Sequence, residues 1–147
     1  YKGMGMNLFT AMDISASAMT AQSLRMNAVS SNLANANTVQ TENGEPYYRK
    51  SVVFEPKTSF EGELDSKMRD GVAGVQVAAI EEDREALTEV YDPGHPLAND
   101  EGYVTNPDIS VLKEMTDLMS ATRAYEANVT SIKASQRMAV KALEIEG

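Results

Sequence analysis

The sequence predicts an α+β chain, with long N- and C-terminal α-helices paired as a coiled-coil-like unit and a small antiparallel β insert between them. Three observations predict it. Residues 7–37 and 108–143 contain neither proline nor glycine, so nothing in them breaks a helix. Both stretches repeat apolar residues at heptad spacing, the period of a seam between helices. The residues between them change to β-branched and aromatic alternation punctuated by turn signals. The expected organisation is a helix in residues 1–38, an acidic β insert in 39–105 and a second helix in 106–147.

In the first helix, Met12, Met19, Met26 and Leu33 recur seven apart. At 1.5 Å per residue the helix should run roughly 45 Å. It ends in "NAVSSNLANANT", residues 27–38, where four asparagines and two serines surround one leucine. Asparagine is a middling helix former that competes for backbone hydrogen bonds, so this composition asks for a reason. One reading is that the cluster frays the helix end. The sharper reading is that it sets register: Asn32 and Asn35 are three apart and share a face beside Leu33, and a buried polar side chain penalises every register in which it lacks a partner. Asn37 suits the left-handed conformation that ends a helix.

In the insert, "YYRKSVVFEP", "GVAGVQVAAI" and "ALTEVYDP" read as three strands. Glu-Asn-Gly-Glu-Pro, Asp70-Gly71 and Asp92-Pro93-Gly94 mark the turns, and the polar "SFEGELDSKMRDG" joins the first two strands. The second helix opens on "TNPDIS", with Asn106 as cap, Pro107 in the first helical position and Asp108 at the positive helix end. Its heptad frame collects Val111, Met115, Leu118, Thr122, Tyr125, Val129, Ile132, Gln136, Ala139 and Leu143. Two helices with one apolar stripe each cannot enclose a core, so contact with other chains is expected to complete them.

Charge and composition narrow the function. The formal charge is −9, and residues 39–105 hold all of it, with six Lys/Arg against fifteen Asp/Glu, while the ends balance. An acidic middle repels nucleic acid, whereas neutral ends come together without electrostatic penalty. The absence of cysteine excludes thiolate zinc sites, disulfides and cysteine nucleophiles. No apolar run approaches the roughly 18 residues of a membrane span. A cleaved secretory signal is not expected, because Asp13 interrupts the only candidate apolar core. His95, the single histidine, lies in "DPGHPLANDE" beside Asp92, Asp100 and Glu101, where flanking Pro93, Gly94 and Pro96 favour a turn over an acid/base or metal site. No nucleophile with a matching base emerges, so neither an enzyme, a cofactor nor a small-molecule substrate is expected.

Two motifs carry a resemblance. "SSNLANANT" resembles the N-terminal signature of bacterial flagellar rod and hook proteins, and "EMTDLMSATRAYEANVTSIKASQRMAVKALEI" is similar to their C-terminal helix, with Arg123 to Asn128 as its distinctive centre. "DPGHPLANDEGYVTNPDI" and "NGEPYYRKSVVFEP" resemble the short proximal rod subunits of that axial family. The likeness covers about residues 7–56 and 91–146. It departs where the usual Gly-Tyr after the Asn-Thr motif is replaced by "VQTENGEPYY", and residues 58–89 are not diagnostic.

The resemblance implies a building block of the basal-body rod, the periplasmic drive shaft between rotor and hook, exported through the flagellar type III apparatus without a cleaved signal. It implies partners: like subunits and other rod proteins in helical array, with rotor-ring and distal-rod proteins at the ends. Asn32, Leu33, Asn35, Asn37, Tyr125 and Asn128 take the interface role by resemblance. Met12, Met19, Met26, Leu118, Val129 and Ile132 join them from the stripes. A cytoplasmic export chaperone or adaptor is the alternative, since it too is helical and acidic.

Overall fold

The computed structural model describes residues 2–57 and 74–146. The order is α1 (Lys2–Ala34), β1 (Arg49–Pro56), β2 (Val75–Asp83), β3 (Leu87–Tyr91), β4 (Tyr103–Pro107) and α2 (Val111–Glu146). The fold class is the α+β arrangement read from the sequence, with four described strands in two two-stranded sheets, β1 with β2 and β3 with β4. The "SFEGELDSKMRDG" linker and the first residues of the second expected strand lie outside the described residues. By its contacts the chain divides into two compact units, one of residues 1–24, 54–78 and 121–147 and the other of 25–53 and 79–120.

In the first unit, the Lys57 amide donates to the Gly74 carbonyl at 2.7 Å, where β1 finishes and β2 begins, as in an antiparallel pair. The β2 entry rests on α1. Ser17 Oγ donates to the Ile14 carbonyl at 2.7 Å and accepts from the Val75 amide at 3.0 Å. A Cβ on Gly74 would come within 2.8 Å of that Ser17 oxygen, so this approach requires glycine. On α1, Ile14, Ala18 and Ala21 line the inward side; on α2, Ala121, Tyr125, Asn128 and Ile132 do so, with Ala21 and Ala121 at 2% and 0% exposure.

The second unit holds the β3–β4 hairpin and the start of α2. Strands β3 and β4 are antiparallel, from Leu87 opposite Pro107 to Tyr91 opposite Tyr103. Tyr91 and Tyr103 meet edge to face at 5.3 Å. Gly102 closes the hairpin at φ +86°, and a Cβ there would stand 3.0 Å from the Tyr91 ring, so only glycine suits the turn. Asp83 Oδ1 accepts from the Glu85 and Ala86 amides at 3.1 and 3.2 Å, turning the chain from β2 into β3.

Two expectations are corrected here. Asn106 and Pro107 do not start a helix; they end β4, and the Asp108 amide continues the ladder by donating to the Ala86 carbonyl at 2.8 Å. A proline at the end of an edge strand loses no ladder bond that matters, so strand pairing wins over the cap signal. Helix α2 begins at Val111 instead, with Ser110 as cap: its Oγ accepts from the Lys113 amide at 3.4 Å and its carbonyl from the Glu114 amide at 3.0 Å.

The second correction concerns the heptad frame of α2. Val111, Met115 and Leu143 are 49%, 51% and 70% exposed, whereas the inward positions run Glu114, Leu118, Ala121, Tyr125, Asn128, Ile132 in 4-3 spacing. Leu118, Tyr125 and Ile132 belong to both frames; the alternate positions move back one residue, from Met115, Thr122 and Val129 to Glu114, Ala121 and Asn128. On α1 the corresponding inward set of the second unit is Arg25, Ala28 and Asn32, with Arg25 and Asn32 each one residue before a member of the methionine frame. Small side chains let helices approach closely, and polar ones go inward only because they find partners there.

Candidate functional site

Asn32, in the last turn of α1, is 0% exposed. Its Nδ2 donates to the Lys50 carbonyl at 2.8 Å and to Glu114 Oε2 at 3.1 Å. Its Oδ1 accepts from the Lys50 amide and the Tyr47 hydroxyl, both at 2.8 Å. A carboxamide offers two donors and an oxygen with two lone pairs, so every position is filled. Toward Lys50 the side chain behaves as a strand would, bonding both N–H and C=O of one residue of β1. Tyr47 spends its only proton on Asn32, so the Ser31 hydroxyl is the donor in the 2.9 Å contact between Ser31 and Tyr47.

The turn after α1 positions Tyr47. The Thr41 amide donates to the Glu45 carbonyl at 2.7 Å, and the Tyr47 amide to the Thr38 carbonyl at 3.2 Å. Burial pushes the Tyr47 pKa above its ordinary 10.0; the Ser31 hydrogen bond opposes this, and the charges of Glu114 and Glu82 add to it.

Glu114 is 1% exposed, and its second oxygen, Oε1, accepts from Arg49 Nε at 2.7 Å. Arg49 Nη2 lies 4.0 Å from Asp117 Oδ2, and Arg25 Nη2 lies 3.8 Å from Asp117 Oδ1. Two guanidinium groups face two carboxylates, so the cluster is neutral and burial strands no net charge. Asn32 meets Glu114 and Arg25 meets Asp117: going back along α1 goes forward along α2, so the helices run antiparallel in this unit. The result is a clasp that ties the end of α1, the start of β1 and the first turns of α2. At its centre, Asn32 has no open donor or acceptor left for a ligand.

The other residues singled out from the sequence sit elsewhere. Asn32, expected at a subunit interface, is covered within the single chain, and its four polar contacts are all intrachain. Asn35 follows the helix end, donating to the Ser31 carbonyl at 2.9 Å and accepting from the Thr38 hydroxyl at 3.1 Å. Asn37 is exposed, and Met12, Met19, Met26 and Leu33 are half-buried. Leu118, Tyr125, Val129 and Ile132 are half-buried on α2. Half-buried Asn128 donates to the Ala124 carbonyl of its own helix at 2.8 Å. His95 Nδ1 accepts from the Leu97 amide at 3.1 Å, a turn contact.

Sequence reasoning missed Tyr47, Arg49 and Glu114, and the flanking pair Arg25 and Asp117. The available signal was Glu114 itself, four residues before Leu118 and seven before Ala121, a carboxylate on a helix seam that requires a cation and a donor beside it.

Little of the apolar surface is covered. Among the described residues the buried hydrophobics are Ala21, Ala28, Val29, Tyr47, Val104 and Ala121, while Leu112, Met119, Met138, Val140 and Ile145 of α2 are more than half exposed. No described helix is long and apolar enough to cross a membrane. Large apolar side chains left outward along a helix mark the chain as one with a surface for partners.

Residues 12–39 match the family model described as flagella basal body rod protein, and residues 100–145 match the one described as flagellar basal body rod FlgEFG protein C-terminal. The chain is 51% identical to the flagellar basal-body rod protein FlgC of Bacillus subtilis, over 95% of this chain and 99% of that one. It is 38% identical to the FlgC of Borreliella burgdorferi and 39% identical to that of Salmonella typhimurium, in each case over 95% of this chain and 98% of the relative. The chain belongs to the FlgC family of flagellar basal-body rod proteins. These relatives are all named as rod proteins, which gives the chaperone alternative no support.

Proposed function

We propose that the chain is a structural, non-enzymatic subunit of the flagellar basal-body rod. It polymerises through its terminal helices into the periplasmic shaft that carries torque from rotor to hook. The observation that carries this reading is the match to relatives of that name over 95% of the chain, taking in both helices and the insert. The outward Leu112, Met115 and Met119 supply the physical need, since exposed apolar side chains on one helix side are buried only by neighbours. Met12, Met19, Met26, Leu33, Tyr125, Val129 and Ile132, half-buried in the single chain, leave area for the same neighbours. Asn35, Asn37, Leu118 and Asn128 lie beside them. Heterologous contacts between like subunits propagate as a helix rather than closing as a dimer, which suits a shaft.

In the rod, the clasp holds α1 and α2 in one register, so each subunit presents the same surface to the next. Rotor-ring and distal-rod proteins meet the ends, and delivery is by the flagellar type III apparatus without a cleaved signal. A strain lacking the chain is expected to be non-motile, and a tagged copy to co-purify with its basal bodies. A motile deletion strain, or a tagged copy confined to the cytoplasm with one client, overturns the reading.

A further inference from the structure

Helix α2 carries Lys133, Arg137 and Lys141 four residues apart, with no acidic residue between Glu126 and Glu144. Successive positions of this kind lie about 6 Å apart along one side of a helix. All three side chains are exposed, and among the described residues none lies within ion-pair distance of a carboxylate. With Thr130, Gln136, Val140 and, at the far end, Glu144 they line an open depression on the first unit, in which three cations outnumber one carboxylate.

The second unit has the opposite character. Glu81, Glu82, Asp83 and Glu85 surround the turn from β2 to β3, exposed and likewise without an ion-pair partner among the described residues, while the one cation there, Arg84, lies over the Tyr48 ring at 5.1 Å. Glu81 and Asp83 are two apart on a strand, which sets them on one face about 6.7 Å from each other. That repeat matches the repeat of the cations.

We propose that the Lys133–Arg137–Lys141 stripe of one copy docks on the Glu81–Asp83–Glu85 turn of a second copy. The occupant follows from charge complementarity and from the balance of the whole chain. Every copy carries its net −9 in residues 39–105, so like subunits packed together repel through their inserts unless cations are set between them. The contact is heterologous: each copy uses its stripe on one neighbour and offers its turn to another, the arrangement that a growing array requires. The proposal rests on the rod reading for its biological setting, but its solution test does not.

The test uses three full-length chains. Variant one carries Lys133→Glu, Arg137→Glu and Lys141→Glu; variant two carries Glu81→Lys and Glu85→Lys; the third is the unchanged chain. Far-UV circular dichroism confirms the fold of each. Asp83 is left alone because it holds the turn. In sedimentation velocity at high protein concentration, the unchanged chain is expected to self-associate at about 0.01 M salt and to lose this at about 1 M, where the screening length falls to about 3 Å. Each variant alone should associate at least about tenfold more weakly, and a mixture of the two should regain association, since the reversed stripe of one meets the reversed turn of the other.

A mixture that stays monomeric, or a variant one that associates like the unchanged chain, overturns the proposal. So does sedimentation of the unchanged chain with anionic phospholipid vesicles in place of self-association. In cells, variant one at full occupancy in purified basal bodies overturns the docking contact while leaving the rod reading intact. Absence of the unchanged chain from basal bodies removes the rod reading instead.

Discussion

At the scale of single residues, Asn32 decides more than any other side chain. Its carboxamide bonds Lys50 on both sides of the backbone, and Tyr47 and Glu114 besides. Replacing it with leucine keeps the branched shape, in a somewhat larger side chain, and orphans a buried hydroxyl, a backbone N–H and part of a carboxylate. The expected cost of Asn32→Leu is about 3 kcal/mol, read from urea unfolding. A loss below about 1 kcal/mol would mean that water reaches the site. Tyr47 gives a second prediction. Its pKa is raised on folding, so the native state holds the phenol proton more tightly than the unfolded chain does. Its contribution to stability is complete below pH 10.0 and is lost as pH rises through the folded value. Unfolding midpoints should therefore fall more steeply above pH 10.0 in the native sequence than in Tyr47→Phe. Asn32 stood out in the sequence as a polar group on a helix face that would need partners, but which partners it takes was not legible. Tyr47, Arg49 and Glu114 lie 15 to 82 residues away, and no local pattern reports a contact made by tertiary folding.

At the scale of elements, both helices and three of the four strands could be read from proline and glycine placement and from alternation. The start of α2 could not. "TNPDIS" holds two cap signals, and the choice between them depends on whether Pro107 has Leu87 beside it. Ser110→Ala is expected to cost about 1 kcal/mol, whereas Asn106→Ala should cost less than half as much if strand pairing alone holds that segment; paired thermal melts decide between them. Gly102→Ala combines a positive φ with a clash against Tyr91, and should destabilise by about 2 kcal/mol. Alternate positions of the heptad frame of α2 were misread for a related reason, while Leu118, Tyr125 and Ile132 belong to both. Counting apolar residues favours Val111 and Met115, but the seam is chosen by what fits between closely packed helices, and alanines with satisfied polar groups fit better.

At the scale of the whole molecule, the outward Leu143 and Ile145, 70% and 86% exposed, leave the end of α2 without tertiary support. A helix segment held only by its own propensity frays. Amide exchange on dilute monomer is expected to protect residues around Asn32, Val104 and Ala121 strongly, and to find residues 138–146 close to unprotected. Uniform protection through Glu146 would show that the single chain needs no neighbours. The acidic middle and neutral ends were visible in the sequence, because charge is additive along a chain. The faces those charges occupy became visible only once the strands and helices were placed.

The clasp also has a consequence for timing. Its two central groups, Asn32 and Glu114, are separated by 82 positions. Any conduit that releases this polypeptide from its N-terminus, whether a ribosome or a narrow secretion channel, delivers the lock long before the key. The first helix meets Tyr47 and Lys50 early but waits for Glu114 until most of the chain has emerged, which reserves full closure for arrival.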